Sequence, residues 1–425
     1  MNIGRYTPVV HTGDEEGGFY TAALCNVRIN MYICFMLRAY RYRIFPNTEQ
    51  SEQLAKTFGC VRFVYNSGLE TRNAAYRMRG VNLSCFDLMK QTTEAKKELT
   101  WLAEVPAQAL QMALRNLDNA FQGFFAKRSA FPKFKSKYRK QSFQLPQGVR
   151  VDFEGNKVFL PKCKWVDAAV HRKFEGKVKT TTVSRTTTGK YFVSILVDID
   201  RPKPTPKPIT QDTAVGLDLG IKSFLVTSDG DEIENQKFLS RNLKRLRVEQ
   251  RSLTRKVKGS ANYMKQKLRV ALLHERITNQ RKDFLQKLST SLVRQYDTVC
   301  MEDLNVAGMM KNRKLSRAIG EQGWSSFVNM MEYKCEEHGK HFQQIGRFEP
   351  SSKMCSVCGS TNHNLTLKDR KWSCHSCSTL HDRDINAAIN IRDFGLRTQP
   401  LSVNVEGLPQ ALGKKLPVAL PGSVS

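Results

Sequence analysis

The chain has 425 residues, 40% of them hydrophobic, and carries 68 Lys and Arg against 39 Asp and Glu, a formal net charge of +29. That length can bury more than one core, while no apolar run is long enough to span a bilayer. The basic surplus points to a polyanionic partner, nucleic acid before an acidic membrane surface. Eleven cysteines, four of them in metal-ligand spacing, suit a reducing cytoplasm rather than secretion. Residues 21–37 form the most apolar start but lack the basic flank and cleavage site of a signal peptide.

Residues 1–35 are slightly acidic, show no sustained period and read as a disordered extension. A basic alternating strand follows through Phe45, with Tyr40, Tyr42 and Ile44 on one side. Pro46-Asn47-Thr48 ends it and caps a helix bearing Leu54, Phe58, Val61, Tyr65 and Leu69 at helical spacing. Gly59 is a candidate break, which would give either a helix-turn-helix or a packed helical pair. Residues 83–127 continue helical, with a core stripe of Leu110, Leu114, Leu117, Phe121 and Phe124. Then Phe131, Lys133, Phe134, Lys135, Lys137 and Tyr138 interleave aromatic and basic side chains. Rings stack on unpaired bases while ammonium groups neutralise phosphate, so this strip is a candidate nucleic-acid contact; a solvated basic loop would read the same way.

From Ser142 to Ile199 short alternating runs predict a small β-barrel or antiparallel sheet. Arg201 to Pro208 alternates proline with other residues and reads as a semi-rigid linker. Beyond it, Thr213–Lys222 predicts an apolar strand with Asp218 in its middle, where a carboxylate is out of place without a reason. Residues 240–292 read as two basic helices interrupted near Gly259-Ser260. A second apolar strand ends on Glu302 and Asp303, residues 324–336 are helical, and His341–Ile345 is a short strand. From Gly395 the tail has no clear period and is expected to be disordered.

Two C-x-x-C knuckles, Cys355/Cys358 and Cys374/Cys377, stand fifteen residues apart. Each presents two thiols from one tight turn, and two such turns facing each other make a tetrahedral zinc site. Disulfides or buried thiols would use the same four residues. The zinc reading leaves His375 and His381 as bystanders. Cys25, Cys34, Cys60, Cys85, Cys163, Cys300 and Cys335 show no ligand spacing and read as small core residues.

Three carboxylates remain: Asp218, Glu302, and Asp384 with Asp382 as its rival. Hard oxygen donors without neighbouring histidine suit magnesium or manganese, which promote phosphodiester hydrolysis. Strand Asp, strand-end Glu and helix-start Asp, in that order, match a ribonuclease H-like arrangement.

G-L-D-L-G-I-K at 216–222, M-E-D-L at 301–304, the four cysteines and H-D-R-D-I-N-A-A-I-N-I at 381–391 resemble the TnpB (OrfB) proteins of bacterial insertion sequences. So do R-A-Y-R-Y-R-I-F-P-N-T-E-Q at 38–50 and F-V-Y-N at 63–66. The resemblance implies a transposon-encoded, RNA-guided DNA endonuclease akin to type V CRISPR effectors, with guide RNA and double-stranded target DNA as partners. It implies an α/β multidomain fold: a wedge β-barrel (36–50 and 131–200) split by a helical recognition domain (51–130). A linker (201–211) then leads to a ribonuclease H-like (RuvC) nuclease domain (212–395) with an inserted zinc ribbon (349–381), ahead of the tail 396–425. Asp218, Glu302 and Asp384 match the family's metal-binding acids, and Asp384 is preferred over Asp382 because it stands two residues before the Asn of D-x-N. The cofactors implied are structural zinc and catalytic magnesium or manganese. Ser378 departs from the glycine usual after the last cysteine, and the prefix 1–35 has no family counterpart. The alternative is a transposon regulator that binds DNA without cutting it.

Overall fold

The computed structural model describes residues 35–366 and 368–397. The disorder expected of residues 1–35 and of the tail from Gly395 falls mostly outside those residues, as do the core roles expected of Cys25 and Cys34. Where it can be seen it is wrong, since Phe35 opens a strand and a helix runs on through Arg397.

The first half alternates a strand, a helical block and a run of strands: β1 (Phe35–Phe45), α1 (Thr48–Arg79), α2 (Cys85–Glu98), α3 (Ala107–Phe125), β2 (Gln141–Leu145), β3 (Arg150–Asp152), β4 (Lys157–Leu160), β5 (Lys164–Ala169), β6 (Lys177–Arg185) and β7 (Tyr191–Pro202). The strands form one antiparallel sheet in the order β2-β6-β7-β1-β5-β4-β3. The alternation read in β1 holds, since Tyr40, Tyr42 and Ile44 are buried together. Asn47 caps α1, with its side chain accepting from Gln50 N while the Gln50 side chain accepts from Asn47 N. The break anticipated at Gly59 does not occur: α1 is one helix of 32 residues. Glycine costs a helix roughly 1 kcal/mol relative to alanine, less than the burial of Leu54, Phe58, Val61, Tyr65 and Leu69 on either side contributes. Strands β2 to β7 fall within the stretch from Ser142 to Ile199 read as alternating, give or take a residue or three at its ends.

The second half comprises β8 (Ala214–Leu219), β9 (Ser223–Thr227), β10 (Glu232–Glu234), α4 (Phe238–Thr254), α5 (Ala261–Gln295), β11 (Thr298–Glu302), α6 (Val306–Met309), α7 (Ser316–Gln322), α8 (Trp324–Glu337), β12 (His341–Ile345), β13 (Lys371–Ser373), β14 (Leu380–Asp382) and α9 (Arg383–Arg397). Its five-stranded sheet has the order β10-β9-β8-β11-β12, with β8, β11 and β12 parallel. One face carries α5 and α8 over Phe224, Phe284 and Phe327, whose rings meet edge to face at 5.2 Å. The other face carries α9. Gly216 allows that approach: a Cβ there would collide with the Ala388 carbonyl and lie 2.6 Å from Arg392 N. Ion pairs tie the halves together, Arg38 to Glu337 at 2.9 Å and Lys190 to Glu275 at 2.9 Å. Among the described residues no helix is long and apolar enough to cross a membrane.

Candidate active site and metal centre

Strand pairing sets Met301 beside Leu217, so the next residues along β11 and β8, Glu302 and Asp218, are neighbours at the same end of two parallel strands. The first turn of α9, packed across β8, adds Asp384. Burial pushes the Asp218 carboxyl up from 3.8 to about 7, with the charges of Glu302 and then Asp384 adding to the shift and Arg383 and Arg370 opposing it. The three acids therefore sense one another's charge, with two guanidinium groups beside them. Arg370 Nη1 lies 2.7 Å from Asp384, and Arg383 Nη2 lies 2.9 Å from its other oxygen. The Ser351 hydroxyl donates to Glu302 Oε1 at 2.5 Å.

Asp382 does something different from Asp384. Its Oδ1 accepts from Asp384 N at 3.0 Å and from Ile385 N at 3.3 Å, the pattern of a helix N-cap for α9. One oxygen of Asp382 thus serves the helix end, whereas both oxygens of Asp384 face guanidinium groups.

The four cysteines come together. Their sulfurs lie within 4.8 Å of one another, with Cys355–Cys377 at 3.6 Å and Cys358–Cys374 at 3.5 Å. Tetrahedral zinc with bonds of 2.3 Å would hold sulfurs about 3.8 Å apart, so the donor set fits that ion. The knuckles repeat one backbone pattern. Cys355 N and Cys374 N donate to Ser360 O and Thr379 O, while Gly359 N and Ser378 N donate back to Cys355 O and Cys374 O. The residue after each second cysteine is left-handed, Gly359 at φ 75° and Ser378 at φ 58°. Ser378 thus adopts a conformation that suits glycine and strains an L residue. The Thr379 hydroxyl and backbone amide pull the Cys377 thiol down to about 6, and the amides of Cys377 and Ser376 lower Cys374.

His381 is not a bystander. It is buried, its Nε2 lies 3.0 Å from Cys355 Sγ, and its ring packs on Trp372 with centroids 4.8 Å apart. Its position, four residues beyond the last cysteine and outside any ligand spacing, hid the contact from the sequence. His375 does stand aside, bonding Ser360 Oγ at 3.1 Å. Of the other described cysteines, Cys60, Cys163, Cys300 and Cys335 are buried, as expected of core residues, and Cys85 is half-buried.

The aromatic and basic strip divides. Lys133, Phe134, Lys137 and Tyr138 are exposed, and Lys267 Nζ approaches the Tyr138 ring at 5.6 Å. Lys135 is exposed too but partnered: its ammonium lies 3.9 Å over the Tyr65 ring, and its backbone exchanges two hydrogen bonds with the Asn66 side chain. Phe131 packs edge-on against Phe121 and Phe124 at 5.6 and 5.3 Å. Beside the strip, Gly59, Arg62, Phe63, Asn66 and Ser67 of α1 line an open hollow that sequence reasoning did not find. Their spacing on the helix could have shown one polar, small-residue face opposite the core stripe.

Family models match three stretches: a probable transposase, OrfB of IS605, over residues 194–313; the TNB domain of Cas12f1-like proteins over 324–391; and a helix-turn-helix domain over 36–80, where this chain folds as a strand and one unbroken helix. A putative RNA-guided DNA endonuclease of Streptomyces pristinaespiralis is 44% identical over 366 residues, covering 84% of this chain and 89% of the relative. The putative RNA-guided DNA endonuclease InsQ of Escherichia coli K12 is 32% identical over 378 residues, covering 84% and 92%. The fold is similar to Cas12f1 in a complex with guide RNA and target DNA, with a TM-score of 0.55 at 16% identity, over 84% of this chain and 99% of that one.

Proposed function

The chain belongs to the TnpB (OrfB) family, and from that premise we propose that it is an RNA-guided DNA endonuclease that cuts by divalent-cation-dependent phosphodiester hydrolysis. The observation that carries the chemistry is the meeting of Asp218, Glu302 and Asp384 at one end of β8 and β11, where burial and mutual repulsion hold Asp218 at about 7. Acids gathered at one end of an apolar sheet are the hard oxygen donors that a divalent cation would use.

Magnesium or manganese bound there would activate a water and offset charge on the leaving oxygen. The protein's own share is to hold three hard oxygen donors on two strands and a helix, with the Arg370 and Arg383 guanidinium groups beside them. The cysteine quartet would hold one structural zinc, since four thiolates close the coordination shell, and the reducing cytoplasm would keep them available.

The five-stranded sheet with its acids supports a ribonuclease H-like, RuvC-type domain over 212–395, with the ribbon at 349–381. The seven-stranded sheet (36–50 and 131–200) would be the wedge, and the helices of 51–130 the recognition domain, joined to the nuclease through 201–211. Guide RNA and double-stranded DNA would contact the exposed basic and aromatic side chains, among them Lys133, Phe134, Lys137 and Tyr138. A regulator that binds without cutting would not need the three acids intact.

The test is programmed cutting. Protein purified with its co-transcribed RNA should cut duplex DNA matched to that RNA in Mg2+, and leave a scrambled target whole. Cutting that ignores the guide sequence, or none under any guide, would overturn the reading.

A further inference from the structure

The acid segment continues into a pair of asparagines that the proposed chemistry does not use. Asn386 and Asn390 stand one turn apart on α9, each 1% exposed. Asn386 Nδ2 donates to Met354 O at 2.8 Å, and its Oδ1 accepts from Ser356 N at 2.9 Å. Asn390 Nδ2 reaches both Ser351 O and Met354 O at 2.7 Å. These carbonyls and amides flank Cys355, the first sulfur of the quartet. Ser351, 4% exposed, then turns its hydroxyl onto Glu302 Oε1. One buried run of hydrogen bonds therefore connects the first cysteine knuckle, through Asn390 and Ser351, to a carboxylate of the acid centre.

Docking the knuckle onto α9 explains the two amides, which meet only backbone. It does not explain the Ser351 hydroxyl, which leaves its own segment to hold one oxygen of an acid on another strand. A carboxylate held by one oxygen has its rotation fixed. We propose that Ser351 is a positioning residue for the acid centre, and that Asn390–Ser351–Glu302 couples occupancy of the cysteine quartet to cation binding at the acids. This rests on the reading of Asp218, Glu302 and Asp384 as a cation site. Coupling between two binding sites is reciprocal, so a cation at the acids must also retain the ion at the cysteines.

The experiment uses the full chain loaded with guide RNA. Zinc release under a thiol-modifying reagent is followed with a zinc-sensitive dye, with and without Mg2+. Wild type should lose zinc about fivefold more slowly in Mg2+, and Ser351→Thr, which keeps the hydroxyl, should behave alike. Ser351→Ala should purify with the same zinc content but lose that protection. If Ser351→Ala keeps full protection, or purifies without zinc because its hydroxyl serves the knuckle alone, the coupling is refuted. Mn2+ binding by electron paramagnetic resonance separates this from the underlying reading. Superimposable isotherms for wild type and Asp218→Asn would sink the acid centre itself. Distinct isotherms without Mg2+ protection of zinc in wild type would sink only the coupling.

Discussion

Asp218→Asn should make the cation-free protein more stable while abolishing cutting. Folding moves the Asp218 carboxyl from 3.8 to about 7. The folded state therefore binds a proton that the unfolded state releases, and the stability tied to that proton is fully present below pH 4. It drains away as pH rises, and above pH 7 the folded chain carries the whole penalty of an ionised, crowded carboxylate. A shift of about three units corresponds to on the order of 4 kcal/mol. Rearrangement of Arg370 and Arg383 and water entry at this half-buried site reduce the observable part to about 2 kcal/mol. Asparagine keeps the shape and cannot ionise. For the domain that unfolds, the gain corresponds to a Tm increase of roughly 4–8 °C at pH 8, shrinking toward zero at pH 4. Thermal unfolding of wild type and variant in a chelator, across that pH range, measures it. Added Mg2+ should close the gap at pH 8 by stabilising wild type alone. Equal melting of the two proteins at pH 8, or a difference that ignores pH, would refute the burial and repulsion assigned to Asp218.

Ser378→Gly removes left-handed strain worth roughly 1–2 kcal/mol against an added unfolded-state entropy of about 0.5–1 kcal/mol. It should slow zinc release under thiol attack about two- to fivefold; unchanged or faster release would argue against strain at this knuckle. Gly216→Ala drives a methyl into the α9 backbone. Backbone cannot yield as a side chain can, so a loss of about 3 kcal/mol or more and of cutting is expected, and near-normal melting would contradict the close approach. In RNA-binding titrations against salt, Lys133→Ala and Lys137→Ala should each lower the slope by about 0.7. Lys135→Ala should lower it less, because its ammonium already faces Tyr65; equal effects from all three would restore Lys135 to the interface.

What was legible in the sequence was what violates local expectation. Asp218 inside an apolar strand, Glu302 at the end of another and each of the two cysteine knuckles stand out within a dozen residues. The helical stripe of α3 and the alternation of β1 were equally local. The contacts that were missed are tertiary. Ser351 to Glu302 and His381 to Cys355 span 49 and 26 residues, and nothing at either end marks the partner. Gly59 misled because helix propensity is weak beside the burial of the helix face on both sides of it. The pattern of the strip likewise gives composition, while the contact of the Lys135 ammonium with the Tyr65 ring is set by the fold.

If the acids do the chemistry while the basic surfaces hold nucleic acid, mutation separates the two. Guide-loaded Asp218→Ala, Glu302→Ala and Asp384→Ala, assayed on a matched duplex in Mg2+ alongside RNA retention, test it most directly. Each variant should retain its RNA at wild-type yield and cut slower by at least about 100-fold, with Asp382→Ala milder than Asp384→Ala. Near-normal cutting by any of the three, or loss of the RNA together with cutting, would contradict it.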